Sequence, residues 1–471
     1  MRKKTFYFVL LLTIFFNSFA VSQFIEDALR FVQPNSGTGA RALGLGNAYI
    51  GVADDFTSVW WNPAGLGQIK KIEFTAGFSN FNYNDDASFL ENTMNYSSNA
   101  TNLNNIGFVL PFPTVRGSLV FALGYNRTNM FTTGMSFDGF NNAKGSMIDY
   151  LAWQNSDLTY ETFLTDESGL YTPITGYLNQ SANTLESGSL GHWAFSGAME
   201  VGQDLFVGLS LYLTTGTYRY DRSYEEADTE NHYTFFDEVY FTDLDFDRFE
   251  LKDIIDGNYT GFGAQIGVMY KFKDMLRVGA TIKTPFTHYV EEDFSSQAKS
   301  YFDNGDNYSH KVSGTAEYKV TTPYVFALGF GWSYMGFLLS GDVEWIDYTQ
   351  MEFSDATEDV MELNRDMKNY LQSALNFRVG LEYTIPMIEL KLRGGFSLYP
   401  SPYKGDPSDY DRQIISFGLG YLVAESLMID AAYAMNSFTT KRVNYAYEGL
   451  ISETIEKVKA NTFLVSLSFR F

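Results

Sequence analysis

Few residues in this chain have the types and spacing for chemistry, and most of those fail on context. Gly37-Thr38-Gly39-Ala40-Arg41-Ala42 fits the pattern GxGxxA, in which glycines let backbone approach a pyrophosphate. That chemistry needs a buried strand just before the motif and a βαβ unit around it, and neither is present. There is no P-loop and no GxSxG elbow. The four histidines, His192, His232, His288 and His310, form no i,i+4 pair for zinc and read as interface or loop residues. A membrane lipase would need a Ser–His pair, and nothing marks one. Residues 221–256 carry thirteen Asp/Glu against three Lys/Arg, and Asp243, Asp245 and Asp247 alternate onto one face. An EF-hand is excluded, because Arg248 stands at its sixth position and Ile254 at its twelfth. A solvated acidic loop is the plain reading, and divalent bridging to anionic surface lipid is the sharper one. No catalytic residue, metal or cofactor is expected.

The elements that would position these residues are strands. The chain ends TFLVSLSFRF, with Phe463, Val465, Leu467, Phe469 and Phe471 on one face and Thr462, Leu464, Ser466, Ser468 and Arg470 on the other. An arginine on the inward face beside an aromatic C-terminus suits a membrane barrel, apolar to lipid and polar to a wet interior. In lipid such strands must close on themselves, because an open edge leaves backbone groups unpaired. At the other end Arg2, Lys3 and Lys4 precede an apolar run from Phe6 to Phe16, too short to span as a helix, and small residues follow. This predicts a signal peptide over 1–22, with a short anchor helix as the alternative. The chain has no cysteine, hence no lipidated N-terminus and no disulfide framework.

Composition agrees. Mean hydropathy of -0.16 is too polar for a helical membrane protein, yet 17% of residues are aromatic, as interfacial girdles require. A net charge of -23 excludes ordinary nucleic-acid binding. Period-2 reading gives fourteen strands, near 71–80, 104–111, 116–126, 189–200, 204–219, 258–272, 275–290, 318–334, 337–349, 372–384, 388–400, 411–422, 426–438 and 461–471. Short connections alternate with long polar ones near 81–103, 127–188, 220–257, 291–317, 350–371, 401–410 and 439–460. Short periplasmic turns and long outer loops are the pattern of an even-stranded outer-membrane barrel, though twelve or sixteen strands would satisfy the same parity. The expectation is an all-β fold, a 14-stranded antiparallel transmembrane β-barrel over 71–471. Residues 23–70 lack alternation and are expected inside, as a hatch filling a lumen too wide for side chains alone.

On these registers Asp342 and Glu344 face inward near Arg378 and Glu382, and those near Lys391 and Arg393. Opposite charges there can hold register and anchor the plug. Alternatively Arg378, Lys391 or Arg393 could serve the carboxylate of a ligand. The hatch side chains Leu43, Leu45, Tyr49, Phe56, Trp60 and Trp61 are candidates for an apolar pocket or for plain plug packing.

Residues 37–67 read GTGARALGLGNAYIGVADDFTSVWWNPAGLG. Gly39-Ala40-Arg41-Ala42, Gly46-Asn47-Ala48, Ala53-Asp54-Asp55 and Asn62-Pro63-Ala64-Gly65 together resemble the N-terminal hatch of FadL-type outer-membrane transporters of long-chain fatty acids and other hydrophobic compounds. Pro63 keeps Asn62 out of helix and Gly65 tolerates positive φ, so NPAG is a chain-reversing turn. Thr321-Thr322-Pro323, Trp345 to Tyr348 and Tyr399-Pro400-Ser401-Pro402 fall where such chains carry comparable features. The second outer connection is the longest here, whereas the family's fatty-acid transporters place their capture elements in the third and fourth. The resemblance implies a single-chain barrel in the outer membrane, among its lipids, passively moving a hydrophobic small molecule inward. It also implies gating at Asn62, Pro63, Ala64 and Gly65. A different role remains open, since a FadL-like barrel also serves as a docking subunit of type IX secretion, with protein partners on its loops or periplasmic face.

Overall fold

The computed structural model describes residues 25–33, 37–234, 245–273, 275–423 and 425–471. The expected signal peptide lies outside them.

Side-chain alternation dictates the wall. Leu375, Phe377, Val379 and Leu381 are each close to half exposed, whereas Asn376, Arg378 and Glu382 between them are 3–5% exposed. One face meets lipid and the other the filled lumen. Fourteen antiparallel strands build the wall: β1 (Glu73–Phe89), β2 (Asn92–Phe112), β3 (Leu119–Met130), β4 (Gly176–Gly202), β5 (Leu205–Ala227), β6 (Phe246–Phe272) and β7 (Leu276–Lys283) form one half. β8 (Val325–Tyr334), β9 (Phe337–Asp347), β10 (Ser373–Ile385), β11 (Leu390–Tyr399), β12 (Arg412–Val423), β13 (Leu427–Tyr447) and β14 (Leu450–Arg470) form the other. Each strand pairs with the next. β14 returns to β1, with Glu73 opposite Arg470 and Phe74 opposite Phe469, so the ring is closed.

Two expectations need correction. The seventh and eighth wall strands are not continuous. Thr287–Phe302 continues β7 only after a break at 284–286, and Asn307–Thr321 leads into β8 only after a break at 322–324. Pro285 and Pro323 cannot donate to a ladder. Side chains and shifted backbone bonds fill the gap: Thr322 N donates to Phe286 O and Phe286 N to Thr322 Oγ1, both at 2.9 Å. Several of the long outer connections, moreover, are largely strand, whereas 350–371 carries a helix over Glu358–Tyr370. β1 and β2 run on to a turn at Leu90-Glu91, and β13 and β14 to a turn at Glu448-Gly449 with φ of 47° and 84°. Both values lie in the left-handed region that tight hairpin turns demand. Above the lipid belt the ladder persists without an apolar face, so hydrophobic periodicity cannot reveal it. The acidic stretch is of this kind: Arg219 pairs with Asp256 at 2.8 Å and Arg222 with Asp253 at 2.7 Å across β5 and β6. Of the three alternating aspartates, Asp243 lies outside the described residues and Asp247 pairs with Arg248 at 2.9 Å.

The lumen holds α1 (Ile25–Leu29), α2 (Ala40–Gly44), α3 (Ser58–Trp61) and a 3-10 turn at Pro63–Gln68. Contact with the wall is so close that small residues are obligatory. A Cβ on Gly395 would lie 2.0 Å from Gly46 N, and one on Gly208 would lie 2.3 Å from the carbonyl carbon of Pro63. The outer mouth is covered by α4 (Met147–Trp153) and α5 (Asp157–Tyr160). The buried Glu226 carboxylate fixes them, accepting from Ser146 Oγ at 2.6 Å, Met147 N at 2.7 Å, Gln180 Nε2 at 2.8 Å and Tyr224 OH at 2.9 Å.

The wall's two faces answer to different solvents. Phe377→Lys, on the lipid face, is expected to destabilise the barrel by about 2–4 kcal/mol if it lies near the bilayer midplane. Urea unfolding in lipid vesicles measures this, and a loss near zero would contradict the assigned face.

Candidate functional site

The hatch is anchored by wall carboxylates. Asp342 on β9 accepts from Tyr49 N at 2.7 Å and Ile50 N at 3.0 Å, and Glu73 on β1 accepts from Phe56 N at 2.8 Å. Arg470 Nε donates to the other oxygen of Glu73 at 2.7 Å. Arg41 of α2 reaches Glu382 at 3.1 Å and also pairs with Asp54, which Arg277 holds at 3.0 Å. Charged hydrogen bonds of this kind are stronger than neutral ones, and more so away from bulk water.

Of the predicted basic residues, Arg393 is spent within this network. Its Nε donates to Glu382 and its Nη1 to Asp430, both at 2.6 Å. Lys391 sits beside it, 3.2 Å from Thr384 Oγ1 and 3.7 Å from Glu382. Arg378 donates to Glu344 at 3.2 Å, lies 3.8 Å from Asp342, and faces the Trp61 ring at 5.6 Å. Among the apolar candidates, Leu43 packs with Tyr399, Ile414 and Leu464. Leu45 and Tyr49 pack with Phe206, Met269 and Leu338, and Phe56 with Val109, Val120 and Ala194. All four are 0% exposed. Their observed environment is plug packing.

Trp60, Trp61 and Arg378, by contrast, line a cavity of about 150 Å³ above the hatch, bounded also by Phe31, Phe286 and the Thr-Pro breaks of the wall. Trp60 is the centre of its aromatic wall. The ring stacks on His192 at 5.0 Å, meets Tyr212 edge-on at 5.6 Å, and carries Lys283 Nζ 3.6 Å above its face. His192 is held by Thr214 Oγ1 at 2.9 Å and Thr128 Oγ1 at 3.0 Å. The histidines expected at interfaces or in loops thus include two, His192 and His288, that are buried in the lumen. His288, of opposite parity to Lys283 on an unbroken 275–290 strand, carried no inward signal, whereas inward parity on its predicted strand marked His192. Lys283 could have been found the same way, two residues from Thr281 and just before Thr284-Pro285.

The turn Asn62-Pro63-Ala64-Gly65 closes the hatch on the far side. Asn62 Nδ2 donates to Ile50 O at 3.0 Å and to Val268 O at 3.2 Å, and its Oδ1 accepts from Ala64 N at 3.1 Å. It therefore ties hatch to hatch and hatch to wall at once. A second, larger recess of about 480 Å³ lies on the lipid side, where Gly329 and Gly341 thin the wall between Leu328, Phe330, Phe377 and Val379. It faces acyl chains. Among the described residues no group of three His, Asp or Glu is placed to hold a metal.

Asp342→Ala should free the Tyr49 and Ile50 amides, at a cost of about 1–3 kcal/mol for groups left unpaired. Faster hydrogen exchange at these two amides, with the barrel still folded, is the expected result. Unchanged protection would show that the anchor lies elsewhere.

Comparison with known proteins fits this geometry. The model of one family, described as outer membrane protein transport protein (OMPP1/FadL/TodX), matches residues 179–471. None of the curated proteins matches by sequence. Among solved structures, a FadL homologue of Pseudomonas aeruginosa superimposes with a TM-score of 0.59 at 13% identity, covering 93% of this chain and 99% of that one. The toluene transporter TodX of P. putida gives 0.57 at 11% identity with the same coverage, and the CymD monoaromatic hydrocarbon channel 0.51 at 12%, covering 93% and 98%. At such identities these structures speak for the fold alone. With its closed fourteen-strand wall and its match to the family over most of the barrel, the chain belongs to the OMPP1/FadL/TodX family of outer-membrane transport proteins.

Proposed function

We propose that the protein carries hydrophobic small molecules passively inward across the outer membrane, with residues 1–22 as signal peptide, 23–70 as hatch and 71–471 as barrel. The observation that carries this reading is the aromatic-walled cavity seated on the hatch inside the barrel. Ligand pockets are concave, mostly apolar and marked by a few polar groups, as this one is. Trp153, Tyr160, Phe163 and Tyr171 project from the outer cover, each about half exposed or more. They offer a first landing surface for an apolar solute. From the cavity the path leads past Asn62–Gly65, or sideways where Gly329 and Gly341 thin the wall.

Relative bond strength selects the part that moves. The amides of Tyr49, Ile50 and Phe56 are held by carboxylates, each bond worth about 1.5–3 kcal/mol. Asn62 makes only neutral bonds, each worth about 0.5–1.5 kcal/mol. The NPAG turn is therefore the weaker latch and the natural gate.

Asn62→Ala removes all three of these bonds and is expected to speed uptake of a hydrophobic dye into vesicles severalfold. Heat-modifiability on a gel checks that the barrel has assembled. Unchanged uptake by an assembled variant sinks the gate. Absence of uptake by the native barrel, across fatty acids and aromatic compounds alike, sinks the transport reading.

A further inference from the structure

The cavity carries more unpaired polar atoms than a passage for plain hydrocarbon requires. His288 is 0% exposed, stacks on Phe31 at 4.5 Å, and neither of its ring nitrogens has a hydrogen-bond partner. Two other lining residues contribute buried atoms without a hydrogen bond, namely Thr38 Oγ1 and Asn376 Oδ1. Lys283 Nζ lies over the Trp60 face and forms no ion pair within 4 Å among the described residues. Glu344, the one carboxylate in the lining, already accepts from Asn376 Nδ2 at 2.9 Å and Arg378 Nη2 at 3.2 Å. Buried polar groups are ordinarily paired, and a cluster left open calls for a partner that completes it.

The size of the space limits what that partner can be. A cavity of about 150 Å³ matches the space that one benzene-sized ring fills. The walls suit a ring, because Phe31, Trp60 and Phe286 present aromatic surfaces to the cavity. The polar atoms call for a substituent on it. A neutral imidazole offers one donor and one acceptor, and a lysine offers donors only. A hydroxyl or carboxyl oxygen can satisfy both.

We infer that the cavity selects a single aromatic ring bearing an oxygen substituent, phenolic or carboxylic. The ring lies among Phe31, Trp60 and Phe286, and the oxygen is served by Lys283 and His288. This rests on the transport reading above and narrows its substrate class. A site built to hydrogen-bond an oxygen discriminates strongly against the analogue without one, since its own groups are then left unpaired. Toluene should therefore be the poorer ligand.

The test is calorimetric binding of phenol, benzoate, toluene and palmitate to the full-length barrel, with vesicle uptake of all four alongside. Phenol, benzoate or both should bind at least about tenfold more tightly than toluene, as expected where an oxygen is read by hydrogen bonds. Lys283→Met and His288→Phe should each narrow that ratio. Phenol alone responding assigns a neutral hydroxyl, and benzoate alone an anion. Should Lys283→Met fail to assemble, Thr38→Val probes the same polar end. Equal affinity for toluene, or a preference that survives both substitutions, overturns the inference and leaves the open polar atoms to water. Palmitate binding without the ring compounds also overturns it, while leaving transport intact. No uptake of any of the four would instead remove the transport reading on which it stands.

Discussion

Hydrocarbon offers no hydrogen bonds to the backbone, and the rest of this structure follows from that constraint. A sheet in lipid has to close, and β14 closes it by pairing with β1 along sixteen residue pairs, from Glu73↔Arg470 to Ser88↔Ile455. Closure with fourteen strands in turn leaves an interior that wall side chains alone cannot fill. The hatch is the answer to that second problem, and the glycines of the wall show how tightly it is fitted. Wall and hatch are therefore mutually dependent: the barrel is packed only with the hatch inside it.

Placing a plug in a polar lumen requires anchoring it without freezing it. Carboxylates on β1 and β9 hold hatch amides, and Arg41 and Arg393 share Glu382 between hatch and wall. Buried charges at these places are each paired, which offsets their desolvation. The turn at Asn62–Gly65 has no charged anchor of its own. A rigid body with one weaker edge is a physically sensible design for a gate, because small shifts there need not disturb the ion pairs that fix register.

The cavity exists because the wall is interrupted. Two Thr-Pro dipeptides break strands that would otherwise run unbroken, and Thr284, Phe286, Thr322 and Pro323 all face the opening. A continuous ladder would have placed lipid-facing and lumen-facing residues in strict alternation through this level. The break lets Lys283, Phe286 and His288 come to the same space above Trp60. The candidate cavity thus lies where the regular structure fails locally and side-chain bonds take its place.

Much of the architecture was legible in the sequence. Alternation through 375–385 and 461–471 determined which face of each strand meets lipid, since a period of two leaves no choice once one solvent is apolar. Strand number, closure and the inward charges Asp342, Glu344, Arg378, Glu382, Lys391 and Arg393 followed from the same pattern. The NPAG turn could be read from proline and glycine stereochemistry. The long outer connections could not be read as strands, because stretches such as 92–102 are polar on both faces and carry no periodic signal. Nor could the sequence choose among the hatch side chains. Leu43, Leu45, Tyr49 and Phe56 are as apolar as Trp60 and Trp61, but only the path of the folded plug puts the tryptophans on the cavity. Lys283, His192 and His288 lie up to about a hundred residues apart along the chain, and closing the barrel brings them to one place. Local pattern decides which way a side chain points, whereas only tertiary structure decides what it meets there.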